Sequence, residues 1–467
     1  MRHLLAAIVL AGSTAMAAAG PYTSDEIAAR ALERRAVEAA VWGMPAVNYD
    51  LMRQVMLDAT DAEPNQVIYW GRPLDWMNQT LTPNPDTLYL MVFFDTHDGP
   101  IVIDVPQADD GGSLNGNIVT AWQKPLEDVG LLGVDKGAGV RLAILPPGFS
   151  GTVPDGIMPL ESDTYGGFAL LRANLRSHAL EDAARSVAYG KRVKVYPLTE
   201  ANDPPETVFV DVQDVLFDST IRYDSTLYEH LDRVVQEEPW IDRDRAMIDT
   251  LATLGIVQGQ PFRPDAETRA TLDAAAVEAR VYLNDILERG WGEFFEGTRW
   301  RAAAAPALAK AAGEGFMTPD AYPVDLRGVI YTLGFVGIKR LGAGQFYLLA
   351  FGDKDGAPLD GGGSYRLTVP PNVPVEQYWS ATIYDRQTHA LVRHMDRASR
   401  ASNAAELQTN PDGSVDIFFG PEAPAGQETN WVPTDPARGF EVMFRLYAPT
   451  QALFDKTWTL PDIERID

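Results

Sequence analysis

Phe440-Glu441-Val442-Met443-Phe444-Arg445-Leu446-Tyr447 alternates strictly: Phe440, Val442, Phe444 and Leu446 fall on one side, and Glu441, Met443, Arg445 and Tyr447 on the other. Successive side chains on a strand point to opposite faces, so the pattern predicts a half-buried strand. An arginine turned inward between apolar neighbours is costly unless it is paired. Arg445 is therefore expected either to grip a carboxylate ligand or to bond an internal partner, for which Asp385 is the candidate.

Working outward, residues 365–369, 379–384 and 415–419 have the same β-branched and aromatic texture, with turn signals at Asp353-Lys354-Asp355-Gly356 and Asn410-Pro411-Asp412-Gly413. A second set of short strands is expected at 88–94, 101–105, 140–145, 168–172 and 192–196, a spacing that suggests a sandwich or barrel rather than repeated βαβ units. Between the two sets the chain passes a linker at 197–207, a strand at 208–212, and then turns helical. Leu272, Ala276, Ala279, Leu283 and Ile286 share one face of a helix over 266–289, with Asp265 placed to cap its start and Gly290 its end. Shorter helical segments are expected at 227–236, 242–254 and 302–312, and β texture from about Tyr322. At the other end, a capping box of Thr23 and Glu26 opens a helix expected to stop at Gly43 and Pro45. The reading is an α+β fold, mainly β. An N-terminal β-rich domain at 22–200, a helical middle region at 208–312 and a C-terminal β-sandwich at 322–467 make two sandwich or jelly-roll-like domains flanking helices.

Met1-Arg2-His3, the apolar run 4–11 and the small residues after it have the layout of a secretory signal peptide over 1–19, cleaved near Ala17 or Ala19. The expected location is periplasmic or secreted. The sequence has no cysteine, which removes thiolate nucleophiles and iron–sulfur clusters from consideration. Its 65 acidic and 39 basic residues give a formal net charge of −26, which repels phosphate backbones, so nucleic acid is not an expected partner. No stretch supplies the run of about 20 apolar residues that membrane insertion requires.

Two clusters carry a family resemblance. Asn84-Pro85-Asp86-Thr87-Leu88-Tyr89, with Asp95 and Gly99-Pro100-Ile101-Val102-Ile103-Asp104-Val105-Pro106, resembles domain of unknown function 1254. Tyr378-Trp379-Ser380-Ala381-Thr382-Ile383-Tyr384-Asp385, Asn430-Trp431-Val432-Pro433 and Arg445-Leu446-Tyr447-Ala448-Pro449 resemble domain of unknown function 1214. The pairing implies an exported bacterial chain of two β-sandwich or jelly-roll-like domains with helices between them, assembling as a homo-oligomer. It implies no agreed reaction.

Familiar catalytic signatures are missing: there is no Gly-x-Ser-x-Gly elbow, no His-Glu-x-x-His pair, no phosphate loop and no dinucleotide fingerprint. The 84–89 segment is the chemical candidate. Asp86 could serve as a general base, with Tyr89 as the second catalytic candidate; alternatively Asn84 and Asp86 only bond their own turn. Alternation places Thr87, Tyr89 and Met91 on one face. Asn84, Thr87, Trp379, Asn430, Trp431, Arg445 and Tyr447 are the candidate substrate-binding residues, and Asn430-Trp431 equally suits the sealing of a sandwich end. No metal ligand set and no cofactor are expected; turns at Asp353, Asp355 and Asp360, and at Asp109 and Asp110, resemble calcium loops only loosely. Two functions stay open: a small-molecule-binding, hydrolase-like enzyme acting on an oxygen-rich substrate, or a non-catalytic protein that assembles through its β domains.

Overall fold

A computed structural model describes residues 21–177, 179–334, 338–340 and 345–467. The leader-like stretch at 1–19 lies outside the described residues.

The N-terminal sandwich packs two sheets. One runs, in spatial order, Phe209–Asp211, Val67–Tyr69, Leu88–Asp95, Gly166–Ala173, Leu114–Thr120 and Pro125–Gly130; the other runs Lys194–Pro197, Ile101–Val105, Val140–Leu145 and Met158–Glu161. Leu88, Leu90, Val92 and Phe94 from the first sheet meet Ile101, Ile103, Leu142 and Ile144 from the second in one core. The C-terminal sandwich has a five-stranded sheet ordered Arg301–Ala302, Gln345–Ala350, Phe440–Tyr447, Trp379–Asp385 and Ser399–Ala401. Its partner sheet is ordered Trp431–Pro433, Val415–Gly420, Tyr365–Val369 and Glu464–Arg465.

The alternation at 440–447 is real, but the strand is not half-buried: every residue of Phe440–Tyr447 is buried. Phe440, Val442, Phe444 and Leu446 fill the sandwich. Met443 on the other face joins a separate, larger core containing Tyr89 and Met91 of the N-terminal sandwich and residues of the helices. A sheet whose polar face is covered by other elements gives the same sequence pattern as one that faces water, so alternation alone could not tell the two apart.

The helices α1 (Ser24–Ala59), α2 (Leu180–Gly190), α3 (Thr226–Glu237), α4 (Met247–Leu254), α5 (Ala266–Arg289), α6 (Pro306–Gly313) and α7 (Val324–Leu333) complete the fold. The capping box of Thr23 and Glu26 and the Asp265 cap are both formed. Two expectations need correction. α1 does not stop at Gly43; it continues through Pro45, because α3, α4, α5 and α7 pack around it and almost every residue from Ala36 to Asp50 is buried. Pro45 leaves the Val41 carbonyl without its helical donor. α7 closes on that carbonyl through a glycine: a Cβ on Gly328 would stand 2.9 Å from the Val41 oxygen. Where β texture is expected to resume near Tyr322, the chain first forms α7.

Candidate functional site

The site begins with register. In the Leu88–Asp95 and Gly166–Ala173 pair, Tyr89 lies opposite Arg172, Met91 opposite Leu170 and Phe93 opposite Phe168. In the Gln345–Ala350 and Phe440–Tyr447 pair, Tyr347 lies opposite Arg445. Each sandwich therefore offers one cross-strand tyrosine–arginine pair, and all four residues line the same cavity. Arg172 stands over the Tyr89 ring at 5.6 Å, and Arg445 over the Tyr347 ring at 5.4 Å. α1 closes the far side with Asn48 and Met52, and Gln123, Trp70, Thr82 and Asn84 contribute to the walls.

The cavity is small, with a volume of about 60 Å³. At roughly 10–15 Å³ per water, it is a slim slot able to take a few waters or a narrow ligand. Among the described residues that line it there are two arginines and no aspartate, glutamate, lysine or histidine.

Arg445, 1% exposed, is held by neutral partners. Its Nη1 donates to Thr382 Oγ1 at 2.9 Å, and Nη2 donates to the Thr82 carbonyl at 3.0 Å and to Tyr384 Oη. The expected pair with Asp385 does not form. Asp385 sits opposite Phe440 at the other end of the strand and binds Arg438 instead. Arg172 donates to Asn117 Oδ1 at 3.0 Å. Neither guanidinium has a carboxylate partner among the described residues, although the chain is rich in acids. Arg445 is desolvated and Arg172 half-buried, and a cation so placed without a counter-anion is an electrostatic need that a bound anion would meet.

The other candidates divide into three groups. Asn84 and Tyr89 line the cavity: the Asn84 N–H donates to Tyr89 Oη at 3.1 Å, and Asn84 Nδ2 donates to Tyr447 Oη. Tyr447 stacks on Tyr378 with ring centres 4.1 Å apart. Burial, with like-charge neighbours behind it, pushes the Tyr447 and Tyr378 phenols up, so both are neutral hydroxyls at physiological pH. Asn84 Oδ1 also accepts the Asp86 N–H at 3.0 Å, the turn-bonding alternative for this residue.

Asp86 faces a neighbouring groove that it lines with Pro85, Ser399 and Arg400, and its Oδ2 accepts from Ser399 Oγ at 2.9 Å. Thr87 donates to the Ala173 carbonyl at 3.2 Å, a strand-end bond.

Trp379, Asn430 and Trp431 are not at the cavity. Trp379 stacks on Phe444 inside the C-terminal sandwich, Asn430 Nδ2 donates to the Gln408 and Asp416 carbonyls, and Trp431 Nε1 donates to the Gly420 carbonyl. His389 and His394 are also apart in role: His389 Nδ1 meets Glu441 at 2.8 Å, while His394 packs on Trp76. Among the described residues no group of three acidic or histidine side chains is placed to hold a metal ion. Asp353 Oδ1 accepts from the Asp355 and Ala357 N–H groups, and Asp109 pairs with Arg192.

Sequence reasoning missed Arg172, Tyr347, Asn48 and Gln123. Arg172 carries the very signal that drew attention to Arg445, a cation following Leu170-Leu171 on a strand. Asn48 and Gln123 had no such signal, because lone amides are ordinary in loops and helices.

Residues 64–197 match the family described as Protein of unknown function (DUF1254), and residues 344–451 match Protein of unknown function (DUF1214). No curated protein matches the chain. Among solved structures, the VPA0106 protein from Vibrio parahaemolyticus is similar in fold, with a TM-score of 0.57 at 18% identity over 93% of this chain and 100% of that one. A putative uncharacterized protein from Burkholderia cenocepacia matches at a TM-score of 0.41 and 11% identity, over 94% of this chain and 95% of that one. The chain thus joins a DUF1254 region to a DUF1214 region, in that order.

Proposed function

We propose that this protein binds a small organic carboxylate in the slot between its two sandwiches. The observation that carries the reading is the pair Arg172 and Arg445: two guanidinium groups on one narrow cavity, with neutral partners only and apolar walls from Met91, Leu170 and Phe168. Ligand sites are typically mostly apolar with a few convergent polar groups that fix orientation. The test is a thermal-shift comparison of hexanoate with 1-hexanol. Hexanoate at about a hundred times its dissociation constant should add roughly 2.7 kcal/mol to the folded state, and the alcohol should add much less. Equal response to acid and alcohol, or none to either, would refute carboxylate recognition.

A hydrolase-like reaction with Asp86 as general base has weaker support. Asp86 lines the neighbouring groove rather than the slot, so its carboxylate is not directed at a ligand held by the two arginines. What favours it is a chain of hydrogen bonds that runs from Arg445 through the Thr382 and Ser399 hydroxyls to Asp86. An Asp86→Asn protein that binds and turns over ligand like the parent would end that role. The assembly reading is favoured by the internal bonding of Asn430, Trp431 and Thr87, and predicts a stable homo-oligomer indifferent to carboxylates. Export to the periplasm or medium is proposed on the composition of residues 1–19, and mass measurement of the protein from its producing cell tests it. No described helix is long and apolar enough to cross a membrane.

A further inference from the structure

The slot has two polar ends. Tyr89 and Arg172 form one rung of its strand-built wall, Met91 and Leu170 the next, and Phe168 follows. Side chains two residues apart on one face are about 6.6 Å apart, so Arg172 and Phe168 are separated by roughly 13 Å along the strand. Phe168 stacks on Tyr49 of α1, the neighbour of Asn48. Asn48 and Gln123 meet there: Gln123 Nε2 donates to Asn48 Oδ1 at 2.7 Å and to the Pro45 carbonyl at 2.9 Å. The second bond fixes the amide orientation, since a carbonyl can only accept.

Two groups are left over at this end. Gln123 is 0% exposed and lines the slot, yet its Oε1 has no partner among the described residues. Asn48 is 4% exposed and also lines the slot, and its Nδ2 donates to no described residue. A buried acceptor without a donor is rare in folded proteins and points to a missing partner. One spare acceptor beside one spare donor is the complement of a hydroxyl group, which gives one hydrogen bond and takes another. An ammonium group would leave the Asn48 donor opposed, and a second carboxylate would face the Gln123 oxygen.

Resting on the carboxylate-binding reading, we infer that the ligand is a hydroxy acid with its two groups at opposite ends of a slim apolar body. The carboxylate sits between Arg172 and Arg445. The apolar body lies along Met91, Leu170 and Phe168, and the hydroxyl reaches Gln123 and Asn48.

The experiment is calorimetric titration of the protein with hexanoate, 6-hydroxyhexanoate and 6-aminohexanoate. The hydroxy acid is expected to bind about tenfold more tightly than hexanoate, the value of one well-placed neutral hydrogen bond pair, and the amino acid more weakly than the hydroxy acid. Hexanoate binding as tightly as the hydroxy acid overturns this inference and leaves the carboxylate reading standing. Binding of none of the three overturns the carboxylate reading and this inference with it. Gln123→Leu, checked for a retained melting transition, is expected to erase the hydroxyl preference, read as the ratio of 6-hydroxyhexanoate to hexanoate affinity; a ratio that persists in folded Gln123→Leu also overturns the inference. Should that variant not fold, the ratio measured on the parent protein decides.

Discussion

Arg445 and Asp86 are joined through two hydroxyl groups: Arg445 Nη1 donates to Thr382 Oγ1 at 2.9 Å, Thr382 Oγ1 donates to Ser399 Oγ at 3.1 Å, and Ser399 Oγ donates to Asp86 Oδ2 at 2.9 Å. Thr382 and Ser399 are cross-strand partners, so the sheet register itself holds the two central links. Every bond runs the same way, from cation to carboxylate. The chain therefore links a side chain on the slot to one on the groove, across the contact between the two sandwiches.

The chain should act as a unit. Ser399→Ala and Thr382→Val are each expected to cost about 1–2 kcal/mol, because each leaves a buried charged group short of a partner. The double variant should cost less than the sum, by at least ~0.5 kcal/mol, in urea unfolding. Strict additivity would show that the two hydroxyls do not communicate.

Arg445 lines the slot and also holds the structure together. It bonds the Thr82 carbonyl, and Thr82 lies in the left-handed region with φ at 37°, its N–H donating to the His389 carbonyl. Arg445→Met strands that carbonyl and two hydroxyls, and should lower stability by at least ~2 kcal/mol. A loss below the error of denaturant unfolding would mean that the surrounding groups repair themselves.

Gly328 lets α7 pack closely on α1. A methyl group there would meet the Val41 carbonyl oxygen and Leu283 Cδ2, each at 2.9 Å. Gly328→Ala should destabilise by about 1–3 kcal/mol through overpacking, despite the better helix propensity of alanine. A more stable variant would show that α7 has room to move.

Glu238 supplies a pH dependence. Burial pushes its carboxyl up to about 8, against the Gly166 and Tyr165 N–H groups that donate to it at 2.7 and 2.6 Å. Its folded value lies above its unfolded one, so its contribution is complete below the ordinary carboxylate range and is lost as pH rises toward 8. Stability should fall between about pH 5 and pH 8, and Glu238→Gln should flatten that slope in urea melts, at the expense of one acceptor. A slope unchanged by the substitution would assign the effect elsewhere.

The sequence made α5 and its two caps legible, because its apolar spacing and its cap residues agree. α1 was cut short because Gly43 and Pro45 are stop signals in water; here four neighbouring helices supply what the chain lacks locally. Arg445 was recognisable as a cation needing compensation, but its partners were not, since hydroxyls and a carbonyl from distant segments carry no charge signature. Trp379, Asn430 and Trp431 are family-motif residues that serve the sandwich interior, where aromatic and amide groups are needed as much as in a site. That both sandwiches meet at one slot depends on register and helix packing, which no local pattern encodes.

Carboxylate recognition by the two arginines is tested by titrating hexanoate into the parent protein and into Arg172→Gln. Arg172 is half-buried, bonded to Asn117 and set over the Tyr89 ring, with no carboxylate partner among the described residues, so replacing it by a neutral amide should leave the fold intact. Affinity should fall by about tenfold or more, the loss of a charge-assisted hydrogen bond, with little change in melting temperature. Unchanged affinity for the carboxylate would contradict it.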